Sequence, residues 1–261
     1  MTTQPNPSHR VALVTGASRR IGIGTAICRA LAAQGMNIAF TYWHPYDAQM
    51  DWGADKDAPA ALVNELQTLG VRCIALETDL SKPDTPPTLI TQVEQQLGNI
   101  SVLVNNATYS VNGDYKQLDA SALDAHYAVN IRGTFLLSVE FARRFTVGHG
   151  GRIINLTSGQ SLGPMPDELA YAATKGAVEA FTLSLAADVA KLGITVNAVD
   201  PGPTDTGWMN PELKTILSQR TPSGRVGLPQ DAARLIAFLS SEDAEWITGQ
   251  IIHSNGGFGW A

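Results

Sequence analysis

Short β-branched runs alternate with helically patterned stretches along almost the whole chain, and this alternation limits the possible folds more than any other feature. Residues 11–15 (VALVT), 38–42, 71–76, 100–104, 152–156, 194–199 and 250–253 have the character of buried strands. Between them, residues 25–34, 60–69, 88–97, 121–145, 170–192 and 230–239 repeat their apolar positions at helical spacing. Seven strands separated by six helices predict an α/β fold, a doubly wound seven-stranded parallel sheet, because each right-handed crossover lays its helix on a sheet face. No interior linker or repeat breaks the pattern. Residues 10–261 therefore read as one domain behind a flexible N-terminal tail, 1–9. The stretch 43–59 (WHPYDAQMDWGADKDAP) is too long and too punctuated by Pro and Gly for a simple connection. It reads as a loop insertion, a solvated surface excursion more than a functional lid.

With 44% hydrophobic and 16% charged residues among 261, the chain can bury a large core, which excludes a disordered or fibrous protein. Its 18 Lys and Arg against 24 Asp and Glu give a net charge of −6 without any basic stripe, so nucleic acid is not an expected partner. Cys28 and Cys73 fit no disulfide or zinc spacing and read as buried thiols. The polar start has no apolar leader core, and no run of about 18 apolar residues follows, so a cytoplasmic protein with no membrane segment is expected. The 5 His show neither H-x3-H nor H-E-x2-H spacing, and no metal is expected.

The first strand runs into GASRRIGIG and then into a helical pattern. Glycines at such a turn let backbone amides approach a pyrophosphate, and the helix N-terminus favours its charge. Neither G-x-G-x-x-G nor Walker A is spelled out, since Ile27 follows Gly22-Ile23-Gly24 where a third glycine would stand and no Gly-Lys-Ser/Thr occurs.

Thr15-Gly16-Ala17-Ser18-Arg19 with Gly22-Ile23-Gly24 resembles the T-G-x3-G-x-G fingerprint of short-chain dehydrogenases/reductases. Either Arg20 replaces the middle glycine, or two residues are inserted and Gly22 and Gly24 are the last two of the fingerprint. The second reading keeps the following helix in the family's register. Asp79-Leu80 resembles the pair that contacts adenine, Asn105-Asn106-Ala107 the N-N-A-G turn with Thr108 in place of glycine, and Pro201-Gly202 with Thr204 and Thr206 the segment that holds the nicotinamide carboxamide. The tail from Gly224 to Phe258 is similar to that of 3-oxoacyl-[acyl-carrier-protein] reductases. The resemblance covers residues 10–258 and implies a Rossmann-type fold with NADP(H) or NAD(H) bound.

Tyr171 and Lys175 lie four residues apart, on one helix face, with Ser158 thirteen residues before the tyrosine and Asn130 twenty-eight before the serine. This spacing resembles the Asn-Ser-Tyr-Lys tetrad of the family. Carbonyl reduction needs a hydride, a proton for the developing alkoxide and a positioned donor. Tyr171 would be the general acid and Ser158 the donor to the substrate oxygen. A free phenol has a pKa of about 10, and a Lys175 ammonium about 4 Å away would favour the phenolate by roughly 4 kcal/mol, or about three pKa units. The resemblance implies that Lys175 also holds the nicotinamide ribose and that Asn130 anchors a water relaying protons to Lys175.

Two other classes compete. Gly159-Gln160-Ser161-Leu162-Gly163 spells the G-x-S-x-G elbow of serine hydrolases, with Asp200 and His253 following in chain order, although Pro164 and Pro166 separate the serine from its helix. A non-catalytic dinucleotide-binding subunit is the other, but all four tetrad residues are present. Tyr109, Gln160, Leu162, Trp208 and Met209, with Leu213 and Leu217, are the candidate substrate wall, largely apolar. A hydrophobic ketone is thus expected beside a 3-oxoacyl thioester. In the reductases, carrier docking is attributed to arginines, one just before the G-I-T-V-N segment, where this chain has Leu192. The second strand ends at Tyr42, followed by Trp43 and His44, with no acid to accept from a ribose 2′-hydroxyl. With Arg19 and Arg20 in the first turn, NADP is expected over NAD. The resemblance also implies a homotetramer built on the helices 121–145 and 170–192, with Phe135, Leu136, Val139, Val178, Phe181 and Leu185 on several of their sides.

Overall fold

A computed structural model describes residues 10–259, so the expected tail 1–9 lies outside the described residues. The strands are β1 (Val11–Val14), β2 (Asn37–Tyr42), β3 (Cys73–Glu77), β4 (Ile100–Asn105), β5 (Gly151–Leu156), β6 (Ile194–Asp200) and β7 (Ile251–His253). They form one sheet in the order β3-β2-β1-β4-β5-β6-β7, and every pairing is parallel. The central strands β1, β5 and β6 are buried at every position, as a sheet covered on both faces requires.

Side chains alternate across the sheet and so separate two cores. Ala12 and Val14 of β1 join Ile27 and Leu31 of α1 (Ile23–Ala33), Leu62 and Leu66 of α3 (Ala58–Gln67) and Ile236 of α9 (Pro229–Leu239). Val11 and Leu13 join Leu89 and Val93 of α4 (Thr85–Leu97), Leu137 and Phe141 of α6 (Thr134–Arg144) and Leu185 and Val189 of α7 (Leu169–Val189). Burial of each such side chain contributes about 1.5–3 kcal/mol.

Three elements differ from the sequence expectation. The helix expected over 121–145 is broken into α5 (Ala120–His126), a π-helical segment (Tyr127–Gly133) and α6. A π turn adds one residue without disturbing the apolar content, so the pattern alone does not reveal it. The insertion is not a solvated excursion: His44–Asp47 forms a short helix, α2, Pro45 sits in its first turn, and Asp47 is 4% exposed. A helix α8 (Pro211–Arg220) follows the site, started by Pro211 and by Asn210, whose side chain accepts from the Leu213 amide at 2.8 Å.

The strand order reverses between β1 and β4, and the crevice beyond their C-terminal ends is where ligands of open parallel sheets bind. Val14 and Val104 are register partners there, so the turns after these two strands leave the sheet side by side.

Candidate active site

The glycine turn and the turn after β4 are bonded into one unit. Thr15 Oγ1 accepts from the amides of Asn106 and Ala107, both at 3.0 Å. The Asn106 side-chain amide donates to the carbonyls of Thr15 and Gly16 at 2.8 and 2.9 Å. Gly16 has φ +74°, and a Cβ on Gly24 would meet the Gly16 carbonyl oxygen at 2.5 Å, so both glycines are required by the backbone. Gly22 is the N-cap of α1, Ile23 its first residue, and Ser18 to Ile21 form the longer bend before it, which is where a two-residue insertion would fall. No side chain caps α1 and no acid lies in its first turn. An uncapped helix N-terminus beneath a close-packed glycine turn fits a pyrophosphate.

The other expected cofactor residues stand at or after the C-terminal ends of β2, β3 and β6, or in the glycine turn itself. Tyr42 ends β2 beside His44, with ring centroids 4.8 Å apart. The Asp79 carboxylate accepts from the Ser81 amide at 2.9 Å and from its hydroxyl at 2.6 Å, and the Leu80 carbonyl lies where a Cβ on Gly133 would sit, at 2.8 Å. Beyond β6, Asp200 Oδ1 accepts from the Gly202 amide at 2.8 Å, and Thr204 Oγ1 donates to the Pro201 carbonyl at 3.0 Å. Thr206 accepts from Arg19 through both its carbonyl and its hydroxyl. The Arg19 guanidinium lies 4.2 Å from the centroid of the Trp52 ring. Arg20 turns outward to Asp55 at 2.7 Å.

Ser158 follows β5, Tyr171 and Lys175 share one face of α7, and Asn130 lies in the π-helical segment. Ser158 lies beside the Tyr171 phenol. Lys175, 4% exposed, donates from Nζ to the Leu156 carbonyl at 2.8 Å, with Nζ 5.4 Å from the centroid of the Tyr171 ring. Burial pushes the lysine down to about 8. The expected depression of the phenol by Lys175 does not occur. Burial raises the Tyr171 pKa, neighbouring Ser158 only partly opposes this, and the charges of Glu168, Asp200 and Tyr46 raise it further. The ammonium is turned toward a backbone carbonyl rather than toward the phenol oxygen.

Asn130 Oδ1 accepts from the Tyr109 amide at 2.7 Å and from the Thr108 hydroxyl at 3.2 Å, while Nδ2 donates to the Tyr109 carbonyl at 2.9 Å and to Thr174 Oγ1 at 3.0 Å. These four bonds fill the capacity of the side-chain amide. Through them it fixes Tyr109 and the first turns of α7.

Of the expected substrate wall, Tyr109 stands against this tetrad. Gln160 donates weakly to Thr157 Oγ1 at 3.4 Å and leaves a buried Oε1 without a partner among the described residues. Leu162 packs against Gly259. Trp208, 49% exposed, donates to the Thr204 carbonyl at 2.9 Å, and Met209 follows it. The hydrolase constellation is not assembled: Ser161 is exposed and reaches Glu179 at 3.4 Å, while His253 pairs with buried Asp200 at 2.9 Å across β6 and β7. Tyr46 and Trp52 are missed by sequence reasoning. Their partners, at residues 109–110 and 19, lie far along the chain, and the surrounding Pro, Gly and Asp disguise them as loop.

The family model described as Enoyl-(Acyl carrier protein) reductase matches residues 16–259. An uncharacterized oxidoreductase of Bacillus subtilis (strain 168), YjdA, is 55% identical over 95% of this chain and 96% of its own length. A 3-oxoacyl-[acyl-carrier-protein] reductase of Staphylococcus epidermidis is 35% identical over 95% of this chain and 98% of its own. The crystal structure of a short chain dehydrogenase from Burkholderia cenocepacia J2315 in complex with NADP superposes with a TM-score of 0.85 and 33% identity, covering 97% of this chain and 98% of that one. The chain belongs to the short-chain dehydrogenase/reductase family. It is an NAD(P)-dependent oxidoreductase acting between carbonyl and alcohol.

Proposed function

We propose that the protein reduces a hydrophobic ketone or a 3-oxoacyl thioester to the secondary alcohol with NADPH, with Tyr171 as the general acid. The observation that carries this reading is the placement of the Tyr171 phenol: half-buried beside Ser158 and on one helix face with buried Lys175, it has its pKa raised by its surroundings and so keeps a proton to donate at neutral pH. Ser158 orients the phenol and can donate to the same substrate oxygen. Lys175 sits one turn further along α7, a buried cation that stabilises negative charge arising on the phenol. Asn130 holds the Tyr109 backbone and Thr174, and so fixes the distance between the wall and the acid. A bound nicotinamide cofactor would supply the hydride; Gly16, Ser18, Gly22, Ile23, Gly24, Asp79, Leu80, Asn106, Ala107, Pro201, Gly202, Thr204 and Thr206, with Tyr171 and Lys175, are the residues to hold it.

Preference for NADPH is supported by the lack of an acid at Tyr42, Trp43 or His44 and by Arg19. Burial lowers the Arg19 pKa, a penalty that an anionic group in the crevice would remove. Arg20 is committed to Asp55 and does not share this role. The Burkholderia relative was crystallised with NADP.

Among the described residues no helix is long and apolar enough to cross a membrane. We place residues 10–261 in the cytoplasm as one catalytic domain, assembled as a homotetramer. Leu136 and Leu183, 38% and 53% exposed on α6 and α7, support the assembly. Val178 and Leu185, expected to contribute, face the protein's own interior, and Phe135 stacks on Phe181 within the chain at 3.8 Å.

The test is one NADPH assay panel of 3-oxoacyl thioesters and free ketones, run with the native protein and with Tyr171→Phe. Turnover is expected in the native protein and a loss of at least about a hundredfold in the variant, with cofactor affinity retained. Substantial activity of Tyr171→Phe would reject the assigned acid.

A further inference from the structure

Residues 43–57 bridge the glycine turn after β1, through Arg19, and the turn after β4, through Ser110. Tyr46 of α2 is held there at both ends. Its hydroxyl donates to the Ser110 carbonyl at 3.2 Å and accepts from the Ser110 amide at 3.3 Å, and its ring centroid is 5.6 Å from that of Tyr109. Behind it the Trp52 ring meets Tyr46 edge-on at 6.5 Å, donates from Nε1 to buried Asp47 at 3.0 Å and carries Arg19 on its face. On the other side the Tyr109 ring meets His126 edge-on at 4.9 Å. A continuous line of rings therefore runs from His126 to the glycine turn, supplied by three separate segments of the chain.

This line borders the tetrad at Asn130. Tyr109 is clamped to Asn130 through both backbone polar groups, and Asn130 in turn bonds Thr174, three residues along α7 from Tyr171. Because the Tyr46 hydroxyl is consumed by Ser110, its ring is what remains for a substrate. Two rings, Tyr46 fixed through its hydroxyl and Tyr109 packed between Tyr46 and His126, lose little freedom on contact and favour offset or edge-on aromatic partners over flexible chains.

We propose that residues 43–57 are the roof of the substrate site and that Tyr46 is a specificity-determining residue, selecting carbonyl compounds with a flat aromatic ring next to the carbonyl carbon. The proposal rests on the carbonyl-reductase reading above and narrows its substrate class.

The test compares acetophenone with cyclohexyl methyl ketone, which share a carbon skeleton and differ in the ring, at saturating NADPH. The native protein is expected to favour the aromatic ketone in kcat/KM by roughly two- to tenfold, the worth of one aromatic pair. Tyr46→Leu should bring the ratio near one, with the change in KM, while Gln49→Ala, an exposed position on the same segment, keeps the native ratio. Tyr46→Phe retains the ring and should retain the aromatic preference even if Tyr46→Leu fails to fold. An unchanged ratio in folded Tyr46→Leu, a lost preference in Tyr46→Phe, or a native preference for the saturated ketone would overturn the proposal. If the native protein turns over neither ketone, the reductase reading is decided separately by NADPH turnover of the 3-oxoacyl thioesters. Calorimetric titration of the same two ketones then decides the roof: a preference for acetophenone that weakens in Tyr46→Leu supports it, and equal binding overturns it.

Discussion

Lys175→Met should make the protein more stable at neutral pH and inactive. Lys175 is 4% exposed, has one hydrogen bond, to the Leu156 carbonyl, and burial sets its pKa near 8 against an ordinary 10.5. The unfolded chain therefore keeps the lysine proton up to about pH 10.5, while the folded chain loses it around 8. Between these values the unfolded state binds more protons, so the unfolding free energy rises with pH. For a shift of this size the rise from pH 7 to 9.5 is about 2 kcal/mol. Met fills similar space without a charge and lacks this dependence. Urea unfolding of both proteins across that range, at fixed ionic strength and protein concentration, gives a difference that isolates the lysine. The native protein should gain on the variant by about 2 kcal/mol as pH rises. Parallel curves would refute the claim that a strongly desolvated ammonium lies beneath Tyr171.

Arg19→Ala should lower kcat/KM for NADPH by roughly ten- to a hundredfold, the range of one lost charge-assisted bond, and change the value for NADH far less. Equal losses with both cofactors, or a native preference for NADH, would remove Arg19 from any role in cofactor choice. Light scattering at micromolar concentration should report four copies of the 27.8 kDa chain, and a monomer would contradict the assembly.

Much of the framework is legible in the sequence because strands such as VALVT and RIINL are apolar enough to be buried on both sides, and only a parallel sheet under helices provides that environment. The tetrad is legible because each member sits at a strand end or on a helix face whose spacing the sequence fixes. Lys175 shows the limit: being four residues from Tyr171 sets the face but not the direction of a flexible ammonium, which the Leu156 carbonyl captures. Helix α8 escapes notice because Glu212, Lys214 and Arg220 interrupt its apolar positions and Leu213 and Leu217 are only half-buried. The spacing singles out Asn130, but its partners are Thr108, the backbone of Tyr109 and a threonine on another helix, contacts that no local pattern encodes.

The π-helical turn at Tyr127–Gly133 acts as a phase slip in what would otherwise be one continuous rod. One extra residue rotates everything downstream by about 100° relative to an uninterrupted helix. The face of α5 that carries His126 and the face of α6 that carries Leu137 and Phe141 are thereby set independently, one aligned with the aromatic line and the other with the sheet. Removing a single residue from this turn would heal the rod and swing either the Asn130 clamp or the α6 core out of alignment. Length is therefore fixed across this turn as firmly as the identities of Asn130 and Gly133 within it.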